Sequence, residues 1–161
     1  MKTLAEAFHH TLQDIYYAEN ALVKALPKVA NAAVSAEFKA LVEGHLIETK
    51  KQVMILDRVF ALLKQKPAGQ KCDAIDGLLM ETDGIIEEAT GVALDACLIA
   101  VAQAVEHYEI ARYGTLREWA KVLGMTEAHD LLSEILDMEK AANSKLTNLA
   151  VTSVNKTKLA A

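Results

Sequence analysis

Four glutamates and a histidine stand where apolar residues belong. Counted in steps of three and four, the inner face of a first helix reads Phe8, Leu12, Ile15, Glu19, Leu22, Leu26 and Val29, apolar except at Glu19. A second stripe reads Phe38, Leu41, His45, Glu48, Gln52, Ile55 and Val59, with three polar residues in a row. A third includes Ile99, Gln103, Glu106, Ile110 and Tyr113, with Glu109 one position off it. A fourth runs Leu132, Ile135, Glu139, Ala142 and Leu146. Each stripe is broken near its middle. Several carboxylates cannot share a dry interior as anions, because burial and mutual repulsion both oppose it. A pair of divalent metal ions would supply the counter-charge: carboxylate oxygens suit iron and manganese, and an imidazole adds a stronger ligand. His45 and Glu48, three apart, share one helix face.

Taken singly, these residues have plainer readings. Glu19 alone would be the margin of an amphipathic face, and an H-x-x-E pair is common on surface helices. Depth is what joins them. At about 1.5 Å per residue, Glu19 and Glu48 both stand roughly 21–23 Å from a turn near residue 34. By the same rise Glu109 and Glu139 stand roughly 21–24 Å from a turn near residue 125, and Glu106 about one turn deeper.

The elements that position them follow from periodicity and punctuation. A first helix is predicted over residues 3–32, kinked by Pro27, and a second over 36–65, capped by Ser35 and ended by Pro67 and Gly69, with Leu62 on its inner face. Gly69, Gly77, Gly84 and Gly91 break residues 68–91 into a connection with one or two short helices. A third long helix covers 92–123, stopped by Gly124 in the left-handed region; Thr126 caps a fourth over 126–151, and residues 153–161 are a frayed tail. The fold expected is an all-α four-helix bundle, a single domain over 1–161, with a long crossover between helices two and three.

Composition narrows the function. The chain has 161 residues, 52% hydrophobic and 24% charged, with a net charge of −5, so no basic surface suits nucleic acid. No apolar run is long enough for a membrane span, and MKTLAEAFHH is not a secretory leader. The two cysteines, Cys72 and Cys97, are read as buried, reduced thiols of a cytoplasmic protein. His9 and His10 are read as solvated residues near the N-terminus, His107 as boundary or surface, Arg112 and Arg117 as solvated, and Tyr113 as a core residue with a bonded hydroxyl.

The segments LQDIYYAENALVKALPKVA, FKALVEGHLIETKKQVMILDRVF, LIAVAQAVEHYEIARYGTLREWAKVLG and LLSEILDMEKAANSKLTNLA span nearly the whole chain. Together they resemble the YciE/YciF group of bacterial stress-associated proteins, through A-E, H-x-x-E-T-x-x-Q and Q-x-x-E-H-Y-E. The resemblance implies a ferritin-like fold akin to rubrerythrin, a homodimer, and a di-metal centre of iron or manganese. Its ligands would be Glu19, His45, Glu48, Glu106, Glu109 and Glu139. Two departures stand out: the second helix reads H-x-x-E where di-iron bundles carry E-x-x-H, and Glu139 is followed by Ala142 and Asn143 rather than a histidine. Two functions remain open: redox chemistry on a small oxidant, peroxide or oxygen, and a metal-free helical dimer with a hydrogen-bonded polar core that acts as an interaction or structural protein.

Overall fold

The structure, a computed structural model, describes residues 1–156. All regular structure among them is helical: α1 (Leu4–Ala32), α2 (Ala36–Leu62), α3 (Asp73–Glu88), α4 (Gly91–Val122) and α5 (Thr126–Thr152), then a short 3₁₀ turn, Val154–Lys156. No helix among the described residues is long and apolar enough to cross a membrane.

The four long helices form a ring in the order α1, α2, α5, α4, each packed on its two neighbours. Cross-helix pairs fix the directions. Tyr16 of α1 meets Phe60 of α2, on the far side of the turn at 33–35. On α2 and α5, Lys51 bonds Glu134 at 2.7 Å and Lys145 bonds Glu48 at 3.0 Å, so one chain rises as the other falls. Every neighbouring pair is antiparallel, and α2 and α4 run parallel across the diagonal. That requires a connection as long as the bundle, and α3 supplies it.

The crossover is one continuous helix rather than broken pieces, running through Gly77 and Gly84. It is strapped to α1 by the Tyr17 hydroxyl, which donates to Asp76 at 2.9 Å, and by the Gln70 N–H, which donates to the Gln13 carbonyl at 3.1 Å. Gly69 makes the close approach possible: a Cβ there would lie 3.0 Å from Tyr17 Cβ and 3.1 Å from its Cα.

Helix ends differ from the sequence reading in instructive ways. Ser35 caps α2 as expected, its hydroxyl accepting from the Phe38 N–H at 3.2 Å. At the other end α2 stops at Leu62, short of 65, because Lys64 adopts φ 56°. The Gln65 N–H then reaches Phe60 O at 3.0 Å and the Lys64 N–H reaches Ala61 O at 2.9 Å, closing a Schellman motif before Pro67 is reached. Leu62, expected inside, is 42% exposed. Gly124 makes the same motif at the end of α4, with φ 71°. Since Lys64 does with a side chain what Gly124 does without one, Lys64→Gly is expected to stabilise the chain by about 0.5–1 kcal/mol, measured by urea unfolding. At the start of α5 the capping position falls to Met125, so Thr126 is the first helical residue rather than the cap. The expected frayed tail instead begins with an ordered turn whose Val154 is buried; residues 157–161 lie outside the described residues.

One buried carboxylate belongs to the scaffold. Asp95, near the start of α4, accepts from the Val34 and Ser35 N–H groups at 2.8 and 2.7 Å and so clasps the α1–α2 turn. Asp95→Ala leaves two turn donors without acceptors, and a loss of about 2–3 kcal/mol in thermal or urea unfolding is expected.

Candidate metal centre

Five of the six sequence-predicted ligands converge inside the ring. Glu19 comes from α1, His45 from α2, Glu106 and Glu109 from α4, and Glu139 from α5, all buried. Glu19 and Glu139 are enclosed because their stripes point at the bundle axis, as the periodicity predicted. Glu109 was read as off the stripe, yet it is only 1% exposed, while Ile110 is half-buried. Helix α4 touches α5, α1 and α3, so its buried arc is broad and takes in the line Leu98, Val101, Val105, Glu109, Tyr113 and Leu116 as well as Glu106.

The convergent atoms form two groups that could each hold an ion. One is His45, Glu106 and Glu109; the other is Glu19, Glu109 and Glu139; within each group one ligand atom per residue lies within 4.8 Å of the others. Glu109 belongs to both. His45 Nε2 lies 3.5 Å from Glu106 Oε1. The second group contains only carboxylates, as the absence of a histidine after Glu139 predicted; Ala142 fills that place and is buried.

Glu48, the sixth residue, stands apart. Its side chain is 35% exposed, one oxygen accepts from Lys145 Nζ at 3.0 Å, and the other lies 4.0 Å from His45 Nδ1. It lines a pocket of about 180 Å³ with Gly44 and Lys145 that opens beside His45. It is a candidate polar mouth, placing Glu48 and Lys145 at the His45 edge of the cluster.

Donors reach only part of the cluster. The Tyr113 hydroxyl donates to Glu19 Oε1, and Gln52 Nε2 donates to Glu139 Oε1 at 2.7 Å. Glu19 Oε2, Glu106 Oε2, both oxygens of Glu109 and Glu139 Oε2 are buried with no hydrogen-bond donor. Two like charges held within 4.8 Å repel by at least about 3 kcal/mol even at an effective dielectric near 20. Burial therefore pushes Glu19 and Glu106 up to about 8, with nearby acids adding to it. Glu109 and Glu139 are also raised well above the usual carboxylate range, by burial first and then by the surrounding carboxylates. In the absence of a cation, protons retained on Glu109 and Glu139 are the donors that could meet Glu19 and Glu106 beside them. Burial lowers His45, so its imidazole is neutral and free to ligate. Protons and divalent cations are the two ways of neutralising this cluster, and the donor set fits either.

Sequence reasoning missed Lys145, which lies off the inner stripe and gives no signal until α2 and α5 are packed. It named Gln52 and Tyr113 without their partners. Elsewhere, His9 and His10 are half-buried rather than solvated: His9 packs edge-on to Phe60, and His10 pairs with Asp14 at 3.3 Å. Arg112 lies 5.2 Å over the Tyr108 ring, and Arg117 is half-buried, so neither is simply solvated. Cys72 is buried with its sulfur 3.0 Å from the Tyr108 hydroxyl, but Cys97 is exposed. His107 is exposed, as expected.

Known proteins are similar to this chain along nearly its whole length. The family described as a domain of unknown function, DUF892, matches residues 3–159. Protein YciF of Escherichia coli K12 is 44% identical over 158 residues, covering 97% of this chain and 95% of that protein. The crystal structure of the E. coli stress protein YciF superposes with a TM-score of 0.92, covering 97% and 99% of the two chains. YcfI of Rhodopseudomonas palustris is 46% identical, with a TM-score of 0.88 over 98% and 96% of the chains. A protein of Xanthomonas campestris, 22% identical with a TM-score of 0.75 over 95% and 94%, shares the fold.

Proposed function

The chain belongs to the DUF892 family, and from that premise we propose that it is a stress-associated protein holding two divalent ions, iron or manganese, in the bundle core. One observation carries the reading: five buried carboxylate oxygens from three helices converge with no donor to meet them. Such a set is costly in a purely structural core and suited to cations. His45 and Glu106 would hold one ion, Glu19 and Glu139 the other, and Glu109 would serve both. Bound there, the ions would supply one-electron redox capacity toward a small oxidant, peroxide or oxygen.

The remaining roles belong to this chain's own side chains. Tyr113 and Gln52 orient Glu19 and Glu139 by donating to one oxygen of each, leaving the second oxygen buried and unpartnered. Neutral His45 offers a nitrogen lone pair without adding charge. Glu48 is the carboxylate nearest the mouth, and moving from Lys145 to His45 would bring it to the first group. Protons held by Glu109 and Glu139 would leave as cations enter.

The test is metal content per chain in protein prepared without chelator or immobilised metal, beside His45→Ala. The reading expects two ions per chain, reduced to one in the variant, because the all-carboxylate group keeps its ligands. No bound iron or manganese after anaerobic loading would remove it. A second reading, the metal-free polar core, draws on the raised, proton-retaining carboxyls and on the Tyr113 and Gln52 bonds, which partly satisfy the cluster without any ion. On the resemblance, the protein is further proposed to be a cytoplasmic homodimer; sedimentation of the full chain at twice its own mass tests this.

A further inference from the structure

The centre has a second side, unlike the polar mouth. A cavity of about 40 Å³ lies among α1, α2, α3 and α4, walled by residues such as Leu26, Val42, Leu79 and Val101, and His45 and Glu106 form part of its lining. Its only other polar side chain, Thr82, has its hydroxyl donor committed to the Leu78 carbonyl at 2.8 Å. Ordered water needs two to four polar partners, and most of this wall offers none, although a space of roughly 10–15 Å³ would already admit one molecule. Hydrogen peroxide has the same need for partners. An aliphatic chain is too large for the volume.

We propose that this cavity is a binding site for one small apolar molecule of the dioxygen class, placed against the His45–Glu106 edge of the centre. The use of that molecule as the oxidant rests on the metal reading; the site itself does not. The Glu48–Lys145 pocket and this cavity meet at Leu41 and His45, which line both, with charged side chains on one side of that wall and an almost wholly apolar lining on the other.

The full chain, metal-free and methyl-labelled, tests this by NMR under xenon pressure and under dissolved oxygen. Xenon should shift the methyls of Leu26, Leu79 and Val101 saturably, and oxygen should broaden them more than those of Leu132 and Ile135, which are fully buried outside the cavity. Ala25→Leu and Ala102→Leu, filling the space from α1 and from α4, should each abolish both effects while the fold, read from the remaining methyls, persists. Absence of xenon shifts in the unsubstituted chain would overturn the proposal, as would equal shifts from hydrogen peroxide or undiminished binding in both filled variants. Because no metal is present, these results stand apart from the metal count: a chain that takes up xenon but retains no iron or manganese keeps the apolar site and loses the metal reading.

Discussion

Replacing Glu109 by glutamine is expected to abolish binding of the two proposed metal ions and, in the metal-free chain at pH 8, to raise stability by up to roughly 5 kcal/mol. The two effects share one cause. Glu109 is the residue common to both ligand groups, and both of its oxygens lack a donor. Without metal, Glu109 must hold a proton well above its usual range, chiefly because it is buried and also because Glu139, Glu19 and Glu106 surround it. Holding that proton costs about 1.4 kcal/mol for each pH unit above the unfolded value. A glutamine amide donates to Glu19 in the same place at no such cost. The gain should shrink toward zero at pH 5, where the unfolded carboxyl also carries much of its proton. Metal analysis together with urea unfolding at both pH values checks this. A variant less stable than the parent at pH 8 would mean that Glu109 stabilises the fold, as in a polar core kept for packing.

The second large effect is the pH dependence of the metal-free parent. Glu19 and Glu106 sit at about 8 when folded, raised by burial from the ordinary 4.5, and burial raises Glu109 and Glu139 well above that ordinary value too. The unfolded chain therefore releases its protons first as pH rises. The stability associated with these groups is full below about pH 4.5 and is lost as pH climbs through 8. A fall of several kcal/mol between pH 5 and pH 9 is expected for the metal-free chain. His45, lowered by burial, acts oppositely: it favours the folded state above pH 6.5, but it is one group against four. Saturating metal should remove the decline, because cations replace the protons and bind more tightly as pH rises. Denaturant melts across pH, with and without manganese, read the contrast; a flat metal-free profile would contradict it.

Much of this buried carboxylate cluster was legible because helices are periodic. Glu19 and Glu139 each interrupt an otherwise apolar stripe, and burial follows from the stripe. Depth counting placed the helices in register without any contact being known, and the two hairpins with a long crossover followed from turn residues. What the sequence could not show was how many neighbours each helix has. Glu109 lies in the core because α4 is covered on three sides, which no count along α4 alone can tell. Glu48 was drawn inward by the same stripe that carries His45, yet the gap between α2 and α5 leaves it half-exposed on Lys145. Its partner was invisible because cross-helix pairs depend on packing. Lys64 escaped notice for a local reason: the motif that ends α2 usually takes glycine, and here a lysine occupies the left-handed position.

The exchange of protons for metal is the core of the account, and calorimetric titration of the metal-free chain with manganese at pH 7, run in two buffers of different ionisation enthalpy, tests it most directly. The prediction is two ions bound per chain, with release of about two or more protons taken up by the buffer. Binding with no proton release, or no binding at all, would contradict it.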